Sequence, residues 1–260
     1  MQPAGFASFI RKLASGARRE TLARFRQDFL IEDKGLAGRY DPVTQADRAA
    51  EAAMRDLISK SFPDHGIYGE EFEDKLGSTP YAWSLDPIDG TRSYMCGLPS
   101  WTTLIALLHE HEPVIGLIDA PALDETYIGF GDEAFLIKNG IETPIHTSGC
   151  SRIEEARFST TDPFHLVPRA GALDAILDAV RVTRFGYDGY AYARLAAGSV
   201  DLVIESGLKP FDYNAHIPVI RAAGGYIGDW SGGSEFAAGD VIAAASRELY
   251  DAAVKFLAEA

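Results

Sequence analysis

The run Trp83-Ser84-Leu85-Asp86-Pro87-Ile88-Asp89-Gly90-Thr91 constrains this chain more than any other segment. An apolar strand runs into two carboxylates three positions apart and then a Gly-Thr step. Pro87 fixes one backbone dihedral, so Asp86 and Asp89 can converge at a strand end with the Ile88 carbonyl turned towards the same point. Carboxylate and carbonyl oxygens with no His or Cys beside them are hard ligands that favour Mg2+. A helix starting at Gly90 and Thr91 would add N–H groups and a positive dipole end as a phosphate seat. The plain alternative is a turn, since Asp, Pro and Gly are ordinary turn residues.

Other acidic residues strengthen the chemical reading. Gly69-Glu70-Glu71 and Lys209-Pro210-Phe211-Asp212 read as ends of elements rather than solvated helix faces. Two cations held by such groups could polarise a phosphoryl group and lower the pKa of a water. Asp47 has two compatible roles. It has the N3 spacing of a capping box for a helix beginning at Thr44, and it could accept from the Thr91 hydroxyl in a relay that draws a proton from water.

Apolar spacing over the first thirty residues (Phe6, Ile10, Leu13, Ala17, Leu22, Phe25, Phe29) predicts one long helix or two shorter ones. Short strands over 82–85, 102–108, 114–118, 126–130 and 134–137 predict a meandering, mostly antiparallel sheet. Beyond residue 140, helical stretches (173–180, 190–197, 214–223) alternate with strands (156–159, 202–204, 241–245), as in an α/β unit. The expected plan is therefore an α+β half over residues 1–140 with most of the metal ligands. An α/β half over 141–260 carries the specificity residues and the last metal aspartate, and the two form one compact catalytic unit.

Charge narrows the partners. Asp and Glu outnumber Lys and Arg by 38 to 24, a balance that repels nucleic acid and anionic lipid. The basic residues between Arg11 and Arg26 alternate with apolar ones, as on a solvated helix face. The longest apolar runs, such as 104–108, are too short to cross a bilayer, and the N-terminus lacks the apolar stretch of a secretory signal, so a cytoplasmic location is expected. Cys96 and Cys150 read as free thiols.

Asp41-Pro42-Val43-Thr44-Gln45-Ala46-Asp47, Gly69-Glu70-Glu71, Asp86-Pro87-Ile88-Asp89-Gly90-Thr91, and Phe211-Asp212 through Ala223-Gly224-Gly225 occur in order. Together they resemble the inositol monophosphatase family over nearly the whole chain. The resemblance implies a layered αβαβα sandwich, a homodimer, and two or three Mg2+ ions per active site. Glu70, Asp86 and the Ile88 carbonyl would hold one ion, and Asp86, Asp89 and Asp212 a second. Asp47, Thr91 and Glu70 would activate the attacking water, and the Gly90 and Thr91 amides would bind phosphate. Phe211 departs from the pattern, standing where Trp is commonest, and Lys34 lies further ahead of Asp41 than the family's usual lysine.

The stretch from Arg184 to Tyr192, Glu205 to Asp212, and Gly97 to Trp101 look like the family's histidinol-phosphatase branch. On that resemblance Arg184, Asp188 and Glu205, with Asp89 and Asp212, would face the substrate. A carboxylate at Asp188 suits the ammonium of histidinol phosphate, whereas the plain reading pairs Asp188 with Arg184. The expected activity is Mg2+-dependent hydrolysis of a small phosphate monoester, L-histidinol phosphate. The runner-up is an inositol-1-phosphate phosphatase of broad specificity, and the third reading is a non-catalytic binding or regulatory member.

Overall fold

A computed structural model describes residues 3–27, 31–33, 42–163 and 170–259. Phe29, Lys34 and Asp41 lie outside them. A 3-10 turn (Pro3–Phe6) leads into α1 (Ala7–Arg24), the short pair β1 (Ile31–Asp33) and β2 (Pro42–Thr44), and α2 (Gln45–Ser61). Next come β3 (Gly66–Gly69), β4 (Tyr81–Asp89), α3 (Thr91–Met95), β5 (Thr102–His109), β6 (Glu112–Ala120), β7 (Glu125–Phe130), β8 (Glu133–Lys138) and β9 (Ile141–Pro144). The remainder is β10 (Arg157–Thr160), α4 (Ala170–Ala179), β11 (Val182–Phe185), α5 (Asp188–Ala196), β12 (Leu202–Glu205), α6 (Pro210–Tyr213), α7 (His216–Ala222), β13 (Tyr226–Gly228), β14 (Val241–Ala244) and α8 (Arg247–Glu259).

Strands β3 to β9 form one seven-stranded sheet in chain order. It is an antiparallel meander from β4 onward, with β3 parallel to β4. The second sheet has five strands in the order β11-β10-β12-β14-β13, parallel among the first three and antiparallel at β14.

Why the layers stack is legible in β5. Successive side chains of a strand point to opposite faces, and residues 103–107 are buried throughout. Ile105 and Leu107 face a core with Ile10, Leu13 and Ala17 of α1 and Ala50, Met54 and Ile58 of α2. Leu104, Ala106 and Leu108 face another with Tyr192 and Leu195 of α5, Val219 and Ile220 of α7, and Val203, Val241 and Ala243 of the second sheet. A third core packs Phe158, Leu202, Ile242 and Ala244 under α4 and α8. Burying each Leu or Ile contributes roughly 1.5–3 kcal/mol, so a strand apolar on both faces demands helices on both. The result is the αβαβα sandwich. Helix α7 sits close on the first sheet because β6 carries Gly116 beneath it: a Cβ there would lie 2.0 Å from the Ala215 carbonyl oxygen.

The helix expected over 214–223 is α7, which starts at His216 and ends at Ala222, and the separate short helix α6 ends just before it at Tyr213. Strands β1, β2, β3, β9, β11 and β13 and helix α8 are additional to the expected elements. The basic residues of α1 are largely paired, Arg18 with Asp119 and Asp124, Arg24 with Glu20, and Arg11 with Glu142. Cys96 and Cys150 are free. Among the described residues no helix is long and apolar enough to cross a membrane.

Candidate active site

On a regular strand, residues three apart point to opposite faces, so Asp86 and Asp89 could not share a site. The ladder between β4 and β5 is broken there. Asp86 pairs with Leu104 and Asp89 with Thr102, three steps on one strand against two on the other. This one-residue bulge turns the second carboxylate back to the side of the first. Thr103 Oγ1 fixes it by donating to the Pro87 carbonyl at 2.7 Å, and the Ile88 N–H donates to Asp86 Oδ1 at 3.1 Å.

Asp89 is held further by donors to Oδ2, the Thr102 hydroxyl at 3.1 Å and the Gly189 N–H at the start of α5. Asp212 is the N3 residue of α6, behind Pro210 at the helix start, and its Oδ2 accepts from the Lys209 N–H at 2.7 Å. Asp86, Asp89 and Asp212 each place one ligand oxygen so that all lie within 4.8 Å of one another.

Glu70 follows β3, and its loop is secured by a residue that sequence reasoning missed. Glu51 of α2 is wholly buried; its Oε2 accepts from the Glu71 N–H at 2.8 Å and its Oε1 from Arg55 Nε at 2.7 Å. Arg55 also donates to the carbonyls of Phe72 and Glu73. A Cβ at Gly69 would lie 2.2 Å from Glu51 Oε1, so the approach requires glycine there. A signal was present, namely a glutamate between Ala50 and Met54 on the apolar stripe of α2.

Burial pushes the Asp86 carboxyl well above the ordinary range, and the neighbouring charges of Glu70, Asp89, Asp212 and Asp47 push the same way. Asp89 is raised first by burial, then by Asp188 and Asp212. Asp86 and Asp89 thus sit among carboxylates, with Glu70, Asp212 and Asp47 acting on the first and Asp188 and Asp212 on the second. Such a hard, all-oxygen donor set fits Mg2+. Asp47 lies in the first turn of α2, 1% exposed. The Thr91 hydroxyl lies 3.1 Å from the Ile88 carbonyl, which accepts a hydrogen bond from it.

A cavity of about 260 Å3 opens beside this cluster, lined by Asp89, Gly90, Thr91, Asp188, Glu205 and Asp212 among others. Gly90, at φ +81°, lies against Asp188: a Cβ on it would meet Asp188 Oδ2 at 2.7 Å. Asp188 has left-handed backbone itself, at φ +45°. Its carboxylate accepts from the Ser93 hydroxyl at 3.3 Å and feels Arg92, not Arg184. Arg184 is exposed on the edge strand β11, its guanidinium donating to the Thr183 carbonyl, and it is absent from the cavity wall. Glu205 is 5% exposed, accepts from the Thr161 N–H at 2.7 Å and is pushed up to about 8 by burial. Tyr192, which closes the stretch from Arg184 to Tyr192, also lines the cavity, as do Arg92 and His216, which no pattern in the sequence marked.

The sequence profile of the inositol monophosphatase family matches residues 3–260. A protein of Arabidopsis thaliana named bifunctional phosphatase IMPL2, chloroplastic, is 45% identical over 231 residues, covering 87% of this chain and 65% of that protein's length. A histidinol-phosphatase of Streptomyces coelicolor is 35% identical, covering 82% of each chain. Among solved structures, an inositol monophosphatase from Zymomonas mobilis superposes with a TM-score of 0.84 at 35% identity, covering 97% of this chain and 98% of its own.

Proposed function

This chain belongs to the inositol monophosphatase family, and from that premise we propose that it uses Mg2+ to hydrolyse L-histidinol phosphate to histidinol and phosphate. It is a phosphoric monoester hydrolase. The convergence of Asp86, Asp89 and Asp212 across the β4 bulge carries the chemical part of this reading.

Glu70, Asp86, the Ile88 carbonyl, Asp89 and Asp212 would hold two or three Mg2+ ions, which would supply Lewis-acid polarisation of the phosphoryl group and a lowered pKa for the attacking water. The amides of Gly90 and Thr91 hold phosphate oxygens. Asp47, which like Glu70 acts on Asp86, receives the water's proton. With its hydrogen committed to Ile88, the Thr91 hydroxyl orients that water through its oxygen lone pairs.

Asp188 and Glu205 support the choice of substrate. They add two carboxylates to a wall in which, among the described residues, the one Lys or Arg is Arg92. An ammonium beside them gains charge-assisted hydrogen bonds, and it lets Glu205, pushed up to about 8 by burial, ionise. The histidinol-phosphatase name of the Streptomyces relative agrees with this choice. The runner-up, inositol 1-phosphate, draws support from the Zymomonas structure. The family's homodimer belongs to the same proposal, and light scattering tests it.

The substrate test is kcat/KM for L-histidinol phosphate against inositol 1-phosphate, with wild type and Asp188→Asn. The expected result is a preference for histidinol phosphate that falls about ten-fold or more in the variant, as when a charged hydrogen bond is lost. Unchanged selectivity overturns the role of Asp188. Preference for inositol phosphate overturns the substrate but not the chemistry, and turnover of neither favours a binding or regulatory role.

A further inference from the structure

Two side chains of the cavity wall take no part in the chemistry above. Tyr192 of α5 and His216 of α7 stack with ring centroids 3.9 Å apart and planes 10° apart, each 2% exposed. The Tyr192 hydroxyl and His216 Nδ1 are buried and have no hydrogen-bond partner among the described residues. Leaving such a buried group unpaired is costly, and native folds keep few of them. Two on one stacked pair, both in the wall of one cavity, point to a ligand that completes them.

Their surroundings say which part of a ligand. Burial first, and then the charges of Glu205, Asp89 and Asp212, raise the Tyr192 hydroxyl, so these carboxylates lie near enough to act on it. The His216 ring edge abuts the Asp188–Gly189 step, since a Cβ on Gly189 would lie 3.2 Å from His216 Cε1. Burial holds His216 neutral, at about 3, so its ring carries one N–H and one lone pair.

We propose that Tyr192 and His216 form the recognition floor for the alcohol part of the phosphate ester, the Tyr192 hydroxyl and His216 Nδ1 bonding to polar groups of an amino alcohol or polyol. The inference rests on the phosphomonoesterase reading. A plain alkyl or aryl phosphate leaves both atoms unpaired and gains nothing from them, so the pair sets specificity rather than rate.

The test compares wild type, Tyr192→Phe and His216→Phe, which keep the stack and remove the polar atoms. The readout is the kcat/KM ratio, with Mg2+, of the better polar ester (L-histidinol phosphate or inositol 1-phosphate) over phenyl phosphate. The expected result is a fall in that ratio of about ten-fold in each variant, the worth of one hydrogen bond. The metal-free Tyr192→Phe protein should melt no lower than wild type, because the hydroxyl it loses is unpaired there. An unchanged ratio, or a lowered melting temperature with equal losses on both esters, overturns the inference and leaves the phosphatase reading standing. Wild type inert towards all three esters overturns both.

Discussion

The Gly189 N–H donates to Asp89 Oδ2, tying the first turn of α5 to the end of β4. The bond couples the wall that faces the substrate to a carboxylate of the metal cluster. It exists because residue 189 has no side chain: a Cβ there would lie 2.5 Å from Asp89 Oδ2 and 2.6 Å from Thr102 Oγ1.

Gly189→Ala is therefore expected to displace Asp89 and to cost about 1–3 kcal/mol of stability, as overpacking does. Mg2+ titration of activity and thermal melts check it. An alanine variant with unaltered Mg2+ dependence would contradict the coupling.

Glu51→Gln retains the size of a buried side chain but cannot accept from both the Glu71 N–H and Arg55 Nε. Loosening the loop that carries Glu70 should raise the Mg2+ concentration for half-maximal activity about 10- to 100-fold, as loss of a ligand-supporting group does. Activity at saturating Mg2+ should fall far less. Equal loss at every Mg2+ concentration would place Glu51 in another role.

Asp86→Asn removes the carboxylate on which burial and four neighbouring acids converge. Mg2+-dependent turnover should be lost, while the metal-free protein melts higher than wild type because a buried repulsion is relieved. A lower metal-free melting temperature would contradict the reading of the cluster as a cation site lacking internal compensation.

The raised carboxyls of Asp86 and Asp89 fix the sign of a pH effect. A carboxyl whose folded pKa exceeds its unfolded value, about 3.9, stabilises the metal-free fold fully below that value. The contribution is lost as pH rises through the folded value. The metal-free melting temperature should thus fall from about pH 5 upward, and Mg2+ should restore it more at about pH 8 than at about pH 6, since protons compete with the cation. Calorimetry with and without Mg2+ reads both trends.

Arg184→Ala should leave kcat/KM for L-histidinol phosphate within about two-fold, because an exposed side chain away from the cavity makes only surface contacts. A large rise in KM would return Arg184 to the site.

The acidic cluster was legible in the sequence because its carboxylates sit in short segments whose residue types are unusual together, as in Asp86-Pro87-Ile88-Asp89. The buried strands of the first sheet were legible for a similar reason, since β5 is an unbroken apolar run. Short edge strands such as β11, exposed over three of its four residues, carry no apolar pattern to read. The direction of the Thr91 hydroxyl depends on a rotamer choice between nearby acceptors, and sequence spacing cannot make that choice. Tyr192 and His216 are 24 positions apart on two helices, and only the packing of α5 against α7 brings them together.

The most direct measurement is phosphate release from L-histidinol phosphate by EDTA-treated protein as Mg2+ is restored. The account predicts no turnover without the cation and saturable recovery with it, absent in Asp86→Asn. Turnover that persists in EDTA, or that Asp86→Asn retains, would contradict it.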